Sequence, residues 1–162
     1  MRALVPLLIA VACGRAAEQP GRLHARLTRP PQDTLRFGAT ARAQRCGQGR
    51  GLLLEGIAGG NGVLIWARSG DSGVTGEFPL LARGDSITTR GALVSTRFTI
   101  GEAERGVTLD SGSVEITSAG GRMRARALGS GVDPTAGQRV GLDAAFDAVP
   151  LATDTASCRV QL

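Results

Sequence analysis

Between Val107 and Val149 apolar residues fall on every second position. Val114 and Ile116 are followed by Met123, Ala125 and Ala127, and then by Val140, Leu142, Ala144 and Phe146. The alternate positions hold Ser113, Glu115, Thr117, Arg122, Arg124, Arg126, Arg139, Asp143 and Asp147. A period of two is what a strand shows when one of its faces is buried and the other is wet, and a helix cannot satisfy it. The stretch therefore reads as an antiparallel meander.

The preceding residues repeat the style. Thr34–Ala43 places Leu35, Phe37, Ala39, Ala41 and Ala43 on one face. Gly51–Ala58 and Val63–Arg68 flank Gly59-Gly60-Asn61-Gly62, residues that tolerate positive φ and so mark a hairpin. Taken as a four-residue loop, this turn sets Ala58 opposite Val63 and Glu55 opposite Trp66. In the same way, Ser118–Gly121 sets Thr117 opposite Arg122 and Glu115 opposite Arg124. Leu52–Leu54 and Val63–Trp66 are apolar on both faces and are expected to be central. Val74–Leu81 contains Pro79, which suits an edge strand or a strand end. Gly91–Ile100 alternates again, and Gly101–Gly106 reads as a polar loop. Twenty-four glycines without a collagen period fit many turns between short strands. The expectation is an all-β fold, an antiparallel β-sandwich or roll of about eight or nine short strands over residues 34–162.

The amino terminus is different. Met1-Arg2 is followed by the apolar run Ala3–Ala12, too short to cross a bilayer as a helix and suited to a signal-peptide core. The run ends Ala10-Val11-Ala12-Cys13-Gly14 and resembles the lipobox of bacterial lipoproteins, with Ala10 where that family usually has Leu. The resemblance implies cleavage after residue 12, lipidation of Cys13 and a membrane partner through the lipid. Gly14 in place of Asp after the lipidated Cys implies an outer-membrane address in a Gram-negative cell. Ala10-Val11-Ala12 also fits an ordinary A-x-A cleavage site, which leaves Cys13 an unmodified thiol. Residues 13–33, with Pro20, Pro30 and Pro31, read as a flexible basic tether.

The sequence pI is about 10.8, so the position of the charge matters. Residues 1–33 carry five Arg against two acids, a net +3, while the remaining fourteen Arg face twelve acids, only +2. A body so nearly balanced and poor in aromatics does not read as a nucleic-acid domain. All nineteen basic residues are Arg, which fits a base-composition bias. With no lysine, Schiff-base chemistry and a P-loop are excluded. The single histidine, His24, falls in the tether, which argues against Ser–His–Asp and Cys–His catalysis. Beyond the leader, Cys46 and Cys158 read as a disulfide in an exported protein. With no His in the body to join them, a zinc site is not expected.

The remaining motifs each have a plain structural reading. Glu55, Asp71, Glu77, Asp110 and Asp143 could supply a glycosidase pair, but no spacing singles out two, and surface charge suffices. Asp71-Ser-Gly73 and Asp110-Ser-Gly112 suit turns as well as calcium loops. Arg83-Gly84-Asp85 spells an adhesion tripeptide, though Gly-Asp also suits a turn. Arg122, Arg124 and Arg126 form a stripe that either grips an acidic polymer or headgroup or is a solvated face. Trp66, Phe37, Phe78, Phe98 and Phe146 fall within strand runs and read as core.

In pattern the chain resembles the small, uncharacterised β-sandwich lipoproteins of environmental bacteria. The leading expectation is a non-enzymatic, monomeric, lipid-anchored envelope domain that binds or scaffolds a protein or polymer, without cofactor or metal. The alternative is a carrier with a small apolar ligand in its β interior; the many inward alanines fit spare volume there, and equally tight sheet packing. A carboxylate-based hydrolase is third.

Overall fold

The computed structural model describes residues 19–47, 51–70 and 73–158. Residues 1–12, where a signal peptide is expected, Cys13 and Asp71 lie outside the described residues. Ten strands form in chain order: β1 (Gly21–Arg29), β2 (Asp33–Cys46), β3 (Gly51–Ala58), β4 (Asn61–Ser69), β5 (Gly76–Pro79), β6 (Arg90–Ile100), β7 (Ala103–Thr108), β8 (Ser111–Ala119), β9 (Arg122–Val132) and β10 (Arg139–Ala156). There is no helix among the described residues. All ten strands join one sheet in the order β5-β8-β9-β10-β1-β2-β3-β4-β6-β7. Of the two architectures expected, this is the roll. Pro79 does sit at the end of an edge strand, β5.

One face of this sheet is apolar and must be covered, and the described chain offers only the sheet itself. It curls over its own inner face without closing. Leu80, just past β5, bridges Ala92 of β6 in parallel. Beyond β7, the Leu109 amide donates to the Val94 carbonyl and the Asp110 amide to the Ser130 carbonyl. Two glycines of β9 permit this close crossing: a Cβ on Gly131 would stand 2.1 Å from the Thr108 carbonyl oxygen, and one on Gly129 2.2 Å from that of Ser111. The interior is filled from every strand, with Phe78, Phe98, Phe146, Leu23, Leu27, Leu52, Leu54 and Ile65 inaccessible or nearly so. Burial of each such side chain contributes about 1.5–3 kcal/mol. The inward alanines Ala25, Ala41, Ala43, Ala67, Ala92, Ala125, Ala127 and Ala144 are equally closed to water. Their small side chains let opposite walls approach.

Three expectations need correction. Residues 21–29, placed in the tether, are strand β1, which lies between β2 and β10 near the middle of the sheet. Leu23, Ala25 and Leu27 face the core while Arg22, His24, Arg26 and Thr28 face out. The folded body thus begins twelve residues or more before Asp33, its prolines standing just before β1 and in the β1–β2 turn. The glycine turns are also tighter than read. Gly59 and Gly60 (φ 56° and 80°) form a two-residue bend, so Ala58 pairs Asn61 and Glu55 pairs Leu64. Gly120 and Gly121 (φ 58° and 76°) do the same, so Thr117 pairs Arg124 and Glu115 pairs Arg126. Two consecutive positive-φ residues give the bend whose twist matches the strands it joins. Finally, the expected loop 101–106 is mostly strand, since Gly101 and Glu102 make the turn and Ala103 already pairs Ile100.

Strand β10 does two jobs. Its first part pairs β1, and after a bulge at Ala148 (φ 47°) its tail continues beside β2, where β1 has ended. The Cys46–Cys158 disulfide fastens that tail, with the two Cα atoms 5.4 Å apart. Gln44 Nε2 donates to Asp154 at 2.8 Å and the Gly47 amide to the Ala156 carbonyl at 3.0 Å.

Candidate anion-binding face

On the outer side of β8, β9, β10, β1 and β2 the register aligns charged residues in rows. One row runs Glu115, Arg126, Ala145, His24, Gly38; the next runs Leu128, Asp143, Arg26, Arg36. A third holds Asp147, Arg22 and Thr40. Neighbouring strands lie about 4.8 Å apart, so Arg26 and Arg36 are like charges set side by side. Between the rows is an open depression of about 590 Å³ lined by His24, Arg26, Arg36, Arg126 and Asp143. Its floor is made by small residues. Ala145 and Gly38 flank His24 on either side, and a Cβ on Gly38 would come to 3.9 Å from the His24 Nδ1.

The charges do not cancel. Asp143 accepts from Arg126 at 3.4 Å and lies 3.9 Å from Arg26. Arg36, like Arg22 and Arg124, has no carboxylate within ion-pair distance among the described residues. Three guanidiniums around one carboxylate leave a net +2 at the depression. Guanidiniums present planar N–H forks that match carboxylate, sulfate and phosphate oxygens.

Of the expected arginine stripe, Arg124 and Arg126 are exposed on this face. Arg122 is engaged with backbone: its Nε donates to the Ala148 carbonyl at 2.7 Å and its Nη2 to the Gln19 carbonyl. It clasps the start of β1 to the bulge of β10. Arg22, His24, Arg26 and Arg36 were not expected here, because three of them fell in the presumed tether. The signal was present as the alternation of Leu23, Ala25 and Leu27 with Arg22, His24 and Arg26.

The other candidate groups are placed as follows. Glu55 pairs with Arg42 at 3.6 Å and Asp110 with Arg139 at 2.6 Å. The Arg139 hydrogen bond holds the Asp110 carboxyl below the usual aspartate range, and the same bond raises Arg139. Glu77 and Glu115 face each other across β5 and β8, and both are exposed. Among the described residues the buried carboxylate is Asp133, which sequence reasoning did not single out. It is 3 % exposed, accepts from the Thr135 and Ala136 amides at 2.8 and 3.2 Å, and lies 3.8 Å from Arg105. It organises the β9–β10 loop. No group of three or more His, Cys, Asp or Glu able to hold a metal occurs among the described residues. In the adhesion-like tripeptide, Asp85 accepts from the Ile87 and Thr88 amides and the Thr88 hydroxyl, a turn closed on itself. Phe78, Phe98 and Phe146 are core as expected, and Phe37 is half-buried against it. Trp66 is not core: it lies half-buried on the outer face with the Arg68 guanidinium 5.0 Å from its ring centroid.

No protein family, curated protein or solved structure matches the chain.

Proposed function

We propose that this protein is a non-enzymatic, lipid-anchored domain of the cell envelope that binds an acidic polymer through the outer face of β9, β10, β1 and β2. The observation that carries the reading is the row geometry, in which Arg26, Arg36 and Arg126 surround a floor of Gly38 and Ala145, with Asp143 the one carboxylate lining the depression and Glu115 beside Arg126 at its edge. A repeating acidic chain laid across the strands meets successive guanidiniums without having to enter a cavity. The lipobox-like Cys13 supports the anchor and the envelope address, with the outer membrane as the location. Because β1 starts at Gly21, only six peptide steps separate Cys13 from Gln19. Their reach is at most about 20 Å, so a lipid on Cys13 holds the body close to the bilayer.

The test uses the full chain with poly-glutamate as the acidic polymer and dextran as the neutral one. Poly-glutamate should bind, weakening as salt screens the face, and dextran should not. The double variant Arg36→Ser/Arg126→Ser should lose about tenfold or more in affinity, while Arg139→Gln, on a guanidinium already paired with Asp110, should bind like the parent. Salt-independent binding, or a double variant that binds normally, would overturn the polymer reading. For the anchor, the intact mass of protein from a lipoprotein-processing host should show an acylated chain starting at Cys13; an unacylated start removes it.

A further inference from the structure

A second outer surface, on β3, β4, β6 and β7, has a different chemistry. Register aligns Glu55, Leu64, Ser95 and Thr108 in one row. Ile57, Gly62, Arg97 and Gly106 form the next. Leu53, Trp66 and Leu93 form a third. Here Leu53, Ile57, Leu64, Trp66 and Leu93 set apolar side chains among the polar ones. Ile57 is 51 % exposed, and Leu93 is buried although it lies outside the inner core. The loop after β5 forms one wall. Leu81 packs where a Cβ on Gly91 would stand, 2.4 Å from its Cδ2, and Arg68 holds the loop through the carbonyls of Asp85 and Thr88. Between loop and sheet is a groove of about 490 Å³ lined by Ile57, Leu64, Leu93, Arg83 and the Ser95–Thr108 hydroxyl pair. The trough stays open because Arg97 lies between two glycines; a Cβ on Gly106 would meet nothing within 4 Å.

The charges select the ligand. Arg97 is paired with Glu104 at 3.5 Å and Glu55 with Arg42 at 3.6 Å, so neither brings a free charge. Arg83 lines the rim and has no carboxylate within ion-pair distance among the described residues. An apolar floor, a hydroxyl pair and one uncompensated guanidinium complement a molecule with an apolar body and one anionic head. We propose that this groove binds a single small amphiphile of that kind, taken up as a monomer. The site is distinct from the arginine face, and the carrier reading moves from the filled interior to the outer surface.

The only tryptophan, Trp66, pairs with Leu93 across β4 and β6 and so serves as a reporter. Decanoate below its micellar range should shift Trp66 emission saturably, and decanol should bind about tenfold more weakly. Arg83→Gln should bring decanoate down to the decanol level and leave decanol unchanged. Ile57→Asp should weaken both by about tenfold or more, with an unchanged urea midpoint for each variant. Arg36→Ser should leave decanoate binding intact, which separates this site from the polymer face. The proposal is overturned by the absence of a saturable signal, by equal affinity for the acid and the alcohol, or by decanoate affinity that follows Arg36. Co-sedimentation with anionic vesicles in the absence of monomer binding would also overturn it, by assigning the groove to a lipid surface.

Discussion

Asp85 shows how a suggestive residue can be fully employed by its own loop. Both carboxylate oxygens accept bonds from residues two and three positions on. These bonds, led by that from the Thr88 hydroxyl, hold its carboxyl below the ordinary aspartate value of 3.8. A depressed folded-state pKa contributes stability that is fully present above the unfolded value and lost as pH falls through the folded one. The loop from Leu80 to Thr88 should therefore keep its structure through neutral and mildly acidic pH and loosen only below pH 3.8. Amide chemical shifts of Ile87 and Thr88 followed against pH would check this, and a midpoint at or above that value would contradict it. Residue types alone announced a turn at Arg83-Gly84-Asp85. Whether the Asp was free to meet a partner depended on where Thr88 and Ile87 lay.

Among the elements, β1 is the instructive case. Its alternation is as regular as that of β9, yet prolines on both sides suggest punctuation rather than a strand. Pro20 precedes the first residue that pairs, and Pro30 and Pro31 fall in the turn before Asp33 pairs Arg29, so no ladder bond is lost to them. Leu27 is inaccessible and pairs both Leu35 and Leu142. Leu27→Ala should lower stability by about 2–5 kcal/mol, measured by urea unfolding; a tether residue would change nothing. The glycine turns carry a related lesson. Gly-Gly-Asn-Gly fixes that the chain reverses, but the ladder decides which two residues bend. Because the error in pairing was an even number of residues, each side chain still fell on the face its alternation indicated. The composition of the candidate face was therefore legible strand by strand, while its neighbours were not.

For the molecule as a whole, the longest-range links are the β1–β10 ladder and the Cys46–Cys158 bond, which spans 112 residues. Restricting so long a loop in the unfolded chain contributes up to about 4–5 kcal/mol in the chain-entropy model. Reduction, or the double variant Cys46→Ser/Cys158→Ser, should shift the urea midpoint downward by a corresponding amount. An unchanged midpoint would mean that the β10 tail is held by its ladder and by Gln44–Asp154 alone. Taken by itself, the sequence determined that the chain is all-β, which side chains of β2, β6, β8 and β9 share a face, where most bends fall and which two body cysteines are available to pair. Those features follow from local rules: a period of two, positive-φ glycines and the presence of just two cysteines, Cys46 and Cys158, beyond the leader. Only the tertiary structure decided that β1 belongs to the sheet and that the sheet curls over its own apolar face. It likewise brought Arg26, Arg36 and Arg126, drawn from strands up to a hundred residues apart, around one floor. Pairing between distant strands depends on the summed burial of every inner side chain at once, and no local window contains that sum.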